Sequence, residues 1–195
     1  MKQVFSVLAG LIALASIIPY AAAILRRKTK PSKTTWIIWA TLDSIILTGM
    51  WVKGAVNGQV LAATIGGLLI AGLALNFGTS KWKPLDIFCL CAALLGIVLW
   101  QVFDSPEFGV VTSLLVMFIG SIPTFVSAWE DPTREDKLAW TMTLVSSVFT
   151  FMSISRWTLM DLAQPVVYAV IGIVMAYILY VRAWALKRML ETVSE

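Results

Sequence analysis

The sequence predicts an all-α membrane protein with seven transmembrane helices, and three observations support this fold class. Hydrophobic residues make up 59% of the 195 residues and charged residues only 13%, whereas soluble domains average about 25% charged residues. Long stretches such as residues 4–25 and 60–75 carry no charge. Such stretches are about 17–22 residues long and do not alternate polar with apolar residues, which favours spanning helices over barrel strands.

Short turns containing proline, glycine or asparagine separate the apolar segments and set the predicted helix ends. One example is the turn Val56-Asn57-Gly58 between the second and third segments. The predicted helices, in order, are residues 4–25, 34–52, 59–77, 85–103, 110–129, 138–154 and 162–184.

The distribution of basic residues predicts the orientation in the membrane. Of the 15 lysines and arginines, only Lys2, Lys53 and Arg156 fall on one side of the predicted helices. Cytoplasmic loops are enriched in basic residues, so we expect the N-terminus outside and the C-terminus in the cytoplasm. The short loops favour a bacterial inner membrane. The residues predicted to be cytoplasmic are Arg26, Arg27, Lys28, Lys30, Lys33, Lys81, Lys83, Arg134, Lys137, Arg182, Lys187 and Arg188.

Composition argues against several classes of function. The chain has no histidine for acid–base or metal chemistry, and no second acid in mid-membrane to pair with Asp43, so we do not expect an enzyme. Cys89 and Cys91 are two residues apart and point in different directions on a helix, so neither a metal site nor a disulfide is expected. No cofactor is predicted. The net charge of +4 follows from membrane topology, and no basic folded surface indicates nucleic-acid binding.

An internal repeat divides the chain. With a shift of 104 residues, Pro19 aligns with Pro123 and Trp36 with Trp140. The repeat predicts a first three-helix unit at residues 4–77, a linker helix at 85–103 and a second three-helix unit at 110–184. Three helices reverse the direction of the chain, so one additional inverter helix makes the two units parallel. Parallel repeats with a site at their interface are a transporter architecture.

The first repeat contains Ile18-Pro19-Tyr20, a basic loop and the aromatic segment Trp36-Ile37-Ile38-Trp39, and it resembles a PQ-loop repeat. The whole arrangement is similar to that of the SWEET sugar transporters, the wider PQ-loop proteins and the PnuC-type vitamin transporters. The resemblance implies alternating-access transport of a small solute. The glutamine that names the motif is replaced by Tyr20 and Thr124, and the second and sixth helices lack the hinge prolines of SWEET proteins. Sugar is therefore not carried over as the substrate.

Asp43 is the main candidate for a functional residue, because it is the only acid placed near mid-membrane. A charge there costs roughly 2.5–3.5 kcal/mol on insertion scales, so such residues usually face a cavity or the bundle interior. Asp43 could accept hydrogen bonds from a substrate. Alternatively, loss of hydration would favour its protonated form and let it take up and release a proton. It could also be a structural carboxyl that ties two helices together.

Two helix faces are expected to line a substrate pocket if they meet across the axis that relates the repeats. On the second helix, Trp36, Trp39 and Asp43 lie at spacings of three and four residues and share a face. The corresponding face of the sixth helix carries Trp140, Thr143 and Ser147. Asn76 is added as a pocket candidate, because proteins similar to SWEET transporters use an asparagine on the third helix.

Pro19 and Pro123 occupy equivalent places inside the first and fifth helices. Proline removes a backbone hydrogen bond and kinks a helix, so paired prolines would suit hinges, although membrane helices also tolerate proline without such a role.

Two hypotheses for function follow from the sequence. The first is an alternating-access transporter of a small polar solute such as a sugar, vitamin or nucleoside, in which proton coupling is left open. The second is a non-transporting seven-helix sensor or assembly subunit. A transporter should have a mid-membrane cavity lined by Asp43 and the tryptophans, whereas a structural protein should be packed solid there. The expected partners are the solute and the lipid bilayer, and a homo-oligomer is left open.

Overall fold

A computed structural model of the chain describes residues 1–27, 31, 33–78, 84–185 and 188. Within these ranges the structure is helical and contains no strand. The α-helices are α1 (Lys2–Leu25), α2 (Lys33–Val52), α3 (Gly58–Phe77), α4 (Pro84–Phe103), α5 (Pro106–Glu130), α6 (Lys137–Ser153) and α7 (Leu159–Ala176). A 3₁₀ turn, Pro132–Arg134, precedes α6, and a π-helical segment, Tyr177–Arg182, continues α7.

The seven predicted helices are observed, each starting slightly earlier than predicted, and the difference is largest for two of them. Helix α5 starts at Pro106 rather than at residue 110, and α7 starts at Leu159 rather than at residue 162. Both first turns contain an acid, Glu107 or Asp161, which is favourable near the positive end of a helix dipole. Polar first turns lower local hydropathy, so an apolar segment marks the spanning part of a helix better than its start.

The end of the last helix differs from the continuous α-helix predicted to residue 184. Residues Tyr177–Arg182 form a π-helical segment of six residues. Here the Tyr177 ring stacks on the Trp129 ring at a centroid distance of 6.5 Å, and the Arg182 guanidinium lies 5.0 Å from the same ring. The widened turn thus brings two side chains of one helix onto a single tryptophan at the end of α5.

Six helices, α1 to α5 and α7 with its continuation, are long and apolar enough to cross a membrane. Helix α6 has 17 residues, the lower limit of the roughly 17–25 residues typical of a spanning helix. Large apolar side chains such as Leu11, Leu68 and Val98 are exposed on the outside of the bundle, as expected for surfaces that face lipid. The chain therefore has the helices and the surface of an integral membrane protein.

Contacts between helices follow a regular order. Helix α3 packs against both α1 and α2, and α7 packs in the same way against both α5 and α6. Helix α1 also packs against α6, and α2 packs against α5. Helix α4 packs mainly on α5 and also contacts α2. Burial differs among these helices, because α2, α3 and α7 carry more buried residues than α1. Of the basic residues used to predict orientation, Lys28, Lys30, Lys81, Lys83 and Lys187 lie outside the described residues.

Of the glycines at contacts between helices, Gly58 has the least space, and it lies where α3 meets α1. A Cβ atom added to Gly58 would lie 1.8 Å from the backbone oxygen of Ser6, and one added to Gly10 would lie 2.9 Å from the oxygen of Gly58. Small residues let membrane helices come this close and gain van der Waals contact.

We expect Gly58→Ala to destabilise the bundle by about 1–3 kcal/mol, because backbone rather than a flexible side chain occupies the space the methyl group needs. Thermal unfolding of purified protein in detergent measures the loss. Gly72→Ala is the matched control: nothing lies within 4 Å of the added Cβ, and alanine is favoured over glycine in a helix. Equal melting temperatures for the two variants would contradict the close contact of α1 and α3.

Candidate functional site

Asp43 lies in the middle of α2 and faces the interior of the bundle. Only 6% of its surface is exposed. Its carboxyl oxygen Oδ1 accepts a hydrogen bond from the hydroxyl of Tyr168, a buried residue of α7. A carboxyl in this position is not stabilised by water, so the tyrosine hydroxyl provides the polar partner that burial requires.

Helix α3 also contacts the segment around Asp43. The Thr64 hydroxyl lies 3.2 Å from the backbone oxygen of Asp43 and 2.9 Å from the backbone oxygen of Val60. A Cβ atom added to Gly67 would lie 3.5 Å from Oδ2 of Asp43, so the backbone of α3 passes close to the carboxyl group. The segment around the acid therefore lies against both α3 and α7.

A buried network of amides and hydroxyls connects α3 with α6. Nε2 of Gln59 donates to the Ser147 hydroxyl at 2.8 Å and to the backbone oxygen of Thr143 at 3.4 Å. Oε1 of Gln59 accepts from the Thr150 hydroxyl at 3.2 Å. Gln59, Ser147 and Thr150 are all at most 1% exposed. Each polar group of the glutamine thus has a partner from the neighbouring helix.

The same network extends to α7 and to the turn before α3. Nε2 of Gln164 donates to Oε1 of Gln59 at 3.1 Å, and Oε1 of Gln164 accepts from Nδ2 of Asn57 at 2.8 Å. Asn57 also caps α3 by accepting from the backbone N–H of Val60 at 2.9 Å. These three amides form a continuous chain from the α2–α3 turn into the bundle.

Sequence reasoning missed Tyr168, Gln59 and Gln164. A signal existed for the glutamines, because both are uncharged polar residues at the starts of apolar spans. They are also 105 residues apart, close to the repeat shift of 104 to 106. Tyr168 gave no comparable signal, since one tyrosine in a spanning helix is typical of packing or of a membrane interface.

The predicted aromatic residues lie apart from this network. Trp36 is half-buried, its Nε1 lies 3.4 Å from the Tyr20 hydroxyl, and its ring contacts that of Trp39 at a centroid distance of 5.5 Å. Trp39 packs partly buried against the main apolar core. Trp140 donates from Nε1 to Oε2 of Glu135 at 3.0 Å. The tryptophans therefore have partners of their own, and none of their described hydrogen bonds is to Asp43 or Ser147.

Glu135 is a further acid that sequence reasoning missed, and it lies in the connection before α6, outside the spanning helices. Burial raises the pKa of the Glu135 carboxyl, the hydrogen bond from Trp140 lowers it, and the nearby charge of Asp136 raises it further. Its partner Trp140 is one of the predicted pocket residues, so the structure places an acid next to the aromatic part of the predicted site.

The two helix faces expected to meet each other instead contact central helices. The face of α2 with Asp43 contacts α7 through Tyr168, and the face of α6 with Ser147 contacts α3 through Gln59. Among the described residues no hydrogen bond joins α2 to α6. The reason is the packing order, because α3 and α7 occupy the positions between these two faces.

The remaining predicted residues have simpler surroundings. The Thr143 hydroxyl donates within its own helix, to the backbone oxygen of Ala139 at 3.0 Å. Asn76 is exposed and donates to the backbone oxygen of Gly72 at 3.4 Å, so it does not join the buried network. Pro19 lies inside α1, and Pro123 lies within the bounds of α5.

A cavity of about 220 Å³ opens at the end of the bundle formed by the N-terminus, the α2–α3 turn and the α6–α7 turn. Its lining includes Lys2, Asn57, Arg156 and Asp161. It does not include Asp43, Ser147 or any of the predicted tryptophans. This cavity therefore lies away from the predicted mid-membrane pocket, and Asn57 is the residue it shares with the buried network.

Among the described residues, no group of three histidine, cysteine or acidic side chains is placed to hold a metal ion. Cys89 is buried and Cys91 is exposed, and both are free thiols. The chain matches no protein-family model, no curated protein and no solved structure. Its function has to be inferred from its own residues.

We expect Gln164→Leu to destabilise the protein by about 1–3 kcal/mol, because the Asn57 amide would lose its acceptor inside the bundle. The variant also removes a donor to Gln59. Thermal unfolding in detergent gives the difference, with Gln101→Leu on the exposed part of α4 as the matched control. If both substitutions have the same effect, the amide chain does not stabilise the bundle.

Proposed function

We propose that the chain is an alternating-access transporter of a small polar solute, with two parallel three-helix units joined by an inverter helix. The observation that carries the proposal is Asp43, a buried acid on α2 whose hydrogen-bond partner Tyr168 belongs to α7. Under this proposal, α2 belongs to the first unit and α7 to the second. An acid held between two units that move relative to each other can bind and release a solute or a proton as they separate.

The packing order supports the two-unit architecture. In the proposed first unit α3 contacts α1 and α2, and in the second unit the equivalent helix α7 contacts α5 and α6. The contacts between units are also equivalent under the repeat, because α1 with α6 corresponds to α5 with α2. These relations agree with the resemblance to SWEET, PQ-loop and PnuC-type transporters.

In the proposed cycle, Asp43 would bind either Tyr168 or an incoming group, but not both at once. With Tyr168 as its donor, the carboxyl is satisfied without a solute. A hydroxyl or amine of an entering sugar, vitamin or nucleoside could replace the tyrosine hydroxyl, or the carboxyl could exchange a proton when the site opens. Transport coupled to protons would depend on this exchange of a proton by the Asp43 carboxyl.

Several polar contacts between the proposed units lie at one end of the bundle and suggest where it is closed. Lys53, at the end of α2, pairs with Glu107 of α5 at 2.8 Å. Nη2 of Arg156, in the α6–α7 turn, donates to the backbone oxygen of Gly54 at 2.7 Å. By the distribution of basic residues this end faces outward and the C-terminus lies in the cytoplasm of a bacterial cell. Pro19 and Pro123 would act as hinges that let the opposite end open.

The alternative is a non-transporting sensor or assembly subunit on the same helices, and one observation favours it. The buried amides pair with one another, and the described cavity lies at the end of the bundle rather than around Asp43. A static interior whose amides are paired with one another is what a structural role requires.

Purified protein distinguishes the two proposals. Thermal-shift measurements against sugars, nucleosides, vitamins and amino acids identify a ligand, and proteoliposomes loaded with a pH indicator then show whether that ligand is accumulated and whether protons move with it. Stabilisation by a compound with time-dependent uptake supports transport. Failure of every compound to stabilise the protein or to enter the vesicles favours the sensor or assembly role.

We expect Asp43→Asn to abolish uptake, or to remove its pH dependence, while leaving expression in the membrane unchanged. The asparagine keeps the size of the side chain and an acceptor for Tyr168 but cannot ionise. Uptake by proteoliposomes at several pH values measures the effect. Asp104→Asn, at an exposed acid between α4 and α5, is the matched control. Wild-type uptake by Asp43→Asn with unchanged pH dependence would refute a transport role for this acid.

A further inference from the structure

We propose that the cavity at the end of the bundle is a binding site for a small oxyanion, a carboxylate or phosphate group, held by Lys2 and Arg156. The site is separate from Asp43 and does not depend on whether the chain transports a solute.

The cavity has the size and the position that such a site needs. Its volume is about 220 Å³, whereas an apolar cavity of about 150 Å³ is large enough to accommodate benzene. Its walls come from the start of α1, the α2–α3 turn, the end of α6 and the start of α7. The lining includes the polar side chains of Ser6, Asn57 and Ser153 next to the charged residues.

Lys2 and Arg156 are already oriented by backbone oxygens and keep donors for a ligand. A lysine ammonium group has three N–H donors, and Lys2 directs one to the backbone oxygen of Ile154 at 2.7 Å. A guanidinium group has five, and only Nη2 of Arg156 donates to the oxygens of Gly54 and Lys53. The backbone carbonyls fix both cations without neutralising them, and the lining holds one acid, Asp161, so a net positive charge remains for an anion.

Two backbone N–H groups at the start of α3 already have side-chain acceptors. The Gly58 N–H donates to the Ser6 hydroxyl oxygen at 2.8 Å, and the Val60 N–H donates to Asn57. Because Ser6 accepts this bond, its own hydroxyl proton remains available to an anion in the cavity. The basic side chains with the Ser6 hydroxyl therefore form the proposed binding groups.

Asp161 sets the strength of the site. Its Oδ1 lies 3.8 Å from Nη2 of Arg156, and its Oδ2 accepts from the Thr158 hydroxyl at 2.5 Å. The carboxylate partly neutralises the arginine and repels an incoming anion. The cavity lining thus holds two cations against one acid, and removing the acid should strengthen anion binding.

Isothermal titration with inorganic phosphate and with succinate tests the site, using full-length protein in nanodiscs of phosphatidylcholine at low ionic strength. We expect Lys2→Gln and Arg156→Gln each to weaken binding about ten- to a hundredfold, as for loss of a charge-assisted hydrogen bond. Asp161→Asn should strengthen binding several-fold while keeping the acceptor for Thr158. Melting temperatures measured without anion check that each variant is folded.

Lys53→Gln is the matched control. Lys53 is a partly exposed cation of the same end of the bundle, but its ammonium group pairs with Glu107 and does not line the cavity. Unchanged binding by this variant, together with the losses at Lys2 and Arg156, supports the site. An equal loss with Lys53→Gln would indicate diffuse surface charge and overturn the proposal, as would weaker binding by Asp161→Asn.

The oxyanion could come from a free solute or from a lipid headgroup, and a second lipid composition distinguishes them. Phosphate binding in pure phosphatidylcholine that persists in nanodiscs containing phosphatidylglycerol indicates a free anion. Loss of phosphate binding when phosphatidylglycerol is present, together with retention of phosphatidylglycerol that depends on Lys2 and Arg156, indicates that the headgroup occupies the site. No binding of phosphate or succinate in phosphatidylcholine, and no retention of phosphatidylglycerol that depends on Lys2 and Arg156, would refute the proposal.

Discussion

The structure depends on one constraint, that polar groups inside an apolar bundle must be satisfied by other protein groups. Asp43 meets it through Tyr168, and Gln59 meets it through Gln164 and the hydroxyls of α6. Each of these bonds joins helices far apart in sequence. The polar side chains therefore fix which helices are neighbours, and the apolar side chains around them fill the remaining space.

These polar ties extend from the middle of the bundle to one end. They run from Asp43, through Gln59 and Asn57, to the turn where Arg156 contacts the α2–α3 connection. Toward the opposite end, hydrogen bonds such as Thr34 with Asp86 and Thr141 with Tyr180 lie beside aromatic contacts such as Trp129 with Tyr177. The first end is therefore held by polar contacts, and the opposite end by a mixture of polar and aromatic contacts.

The same interior is compatible with transport and with a static role, and the difference lies in the exchange of partners. In a transporter, the Tyr168 hydroxyl and the solute would alternate at Asp43. In a structural protein the Asp43–Tyr168 bond would be permanent, like the amide chain of Asn57, Gln164 and Gln59. The basic cavity at the end of the bundle adds a second chemical environment, because it attracts anions, whereas Asp43 suits hydroxyls, amines or protons.

The sequence by itself determined the number of helices, their approximate bounds and the burial of Asp43. These properties follow from local composition, because a chain in lipid must form its hydrogen bonds within each helix and avoids placing an acid against hydrocarbon. Tertiary structure alone decided the partners. The faces of α2 and α6 do not meet, since α3 and α7 lie between them, and Asn76 points outward rather than into the interior. Helix periodicity defines which residues share a face, but which helix covers that face depends on packing between segments about 100 residues apart, as for Gln59 with Gln164.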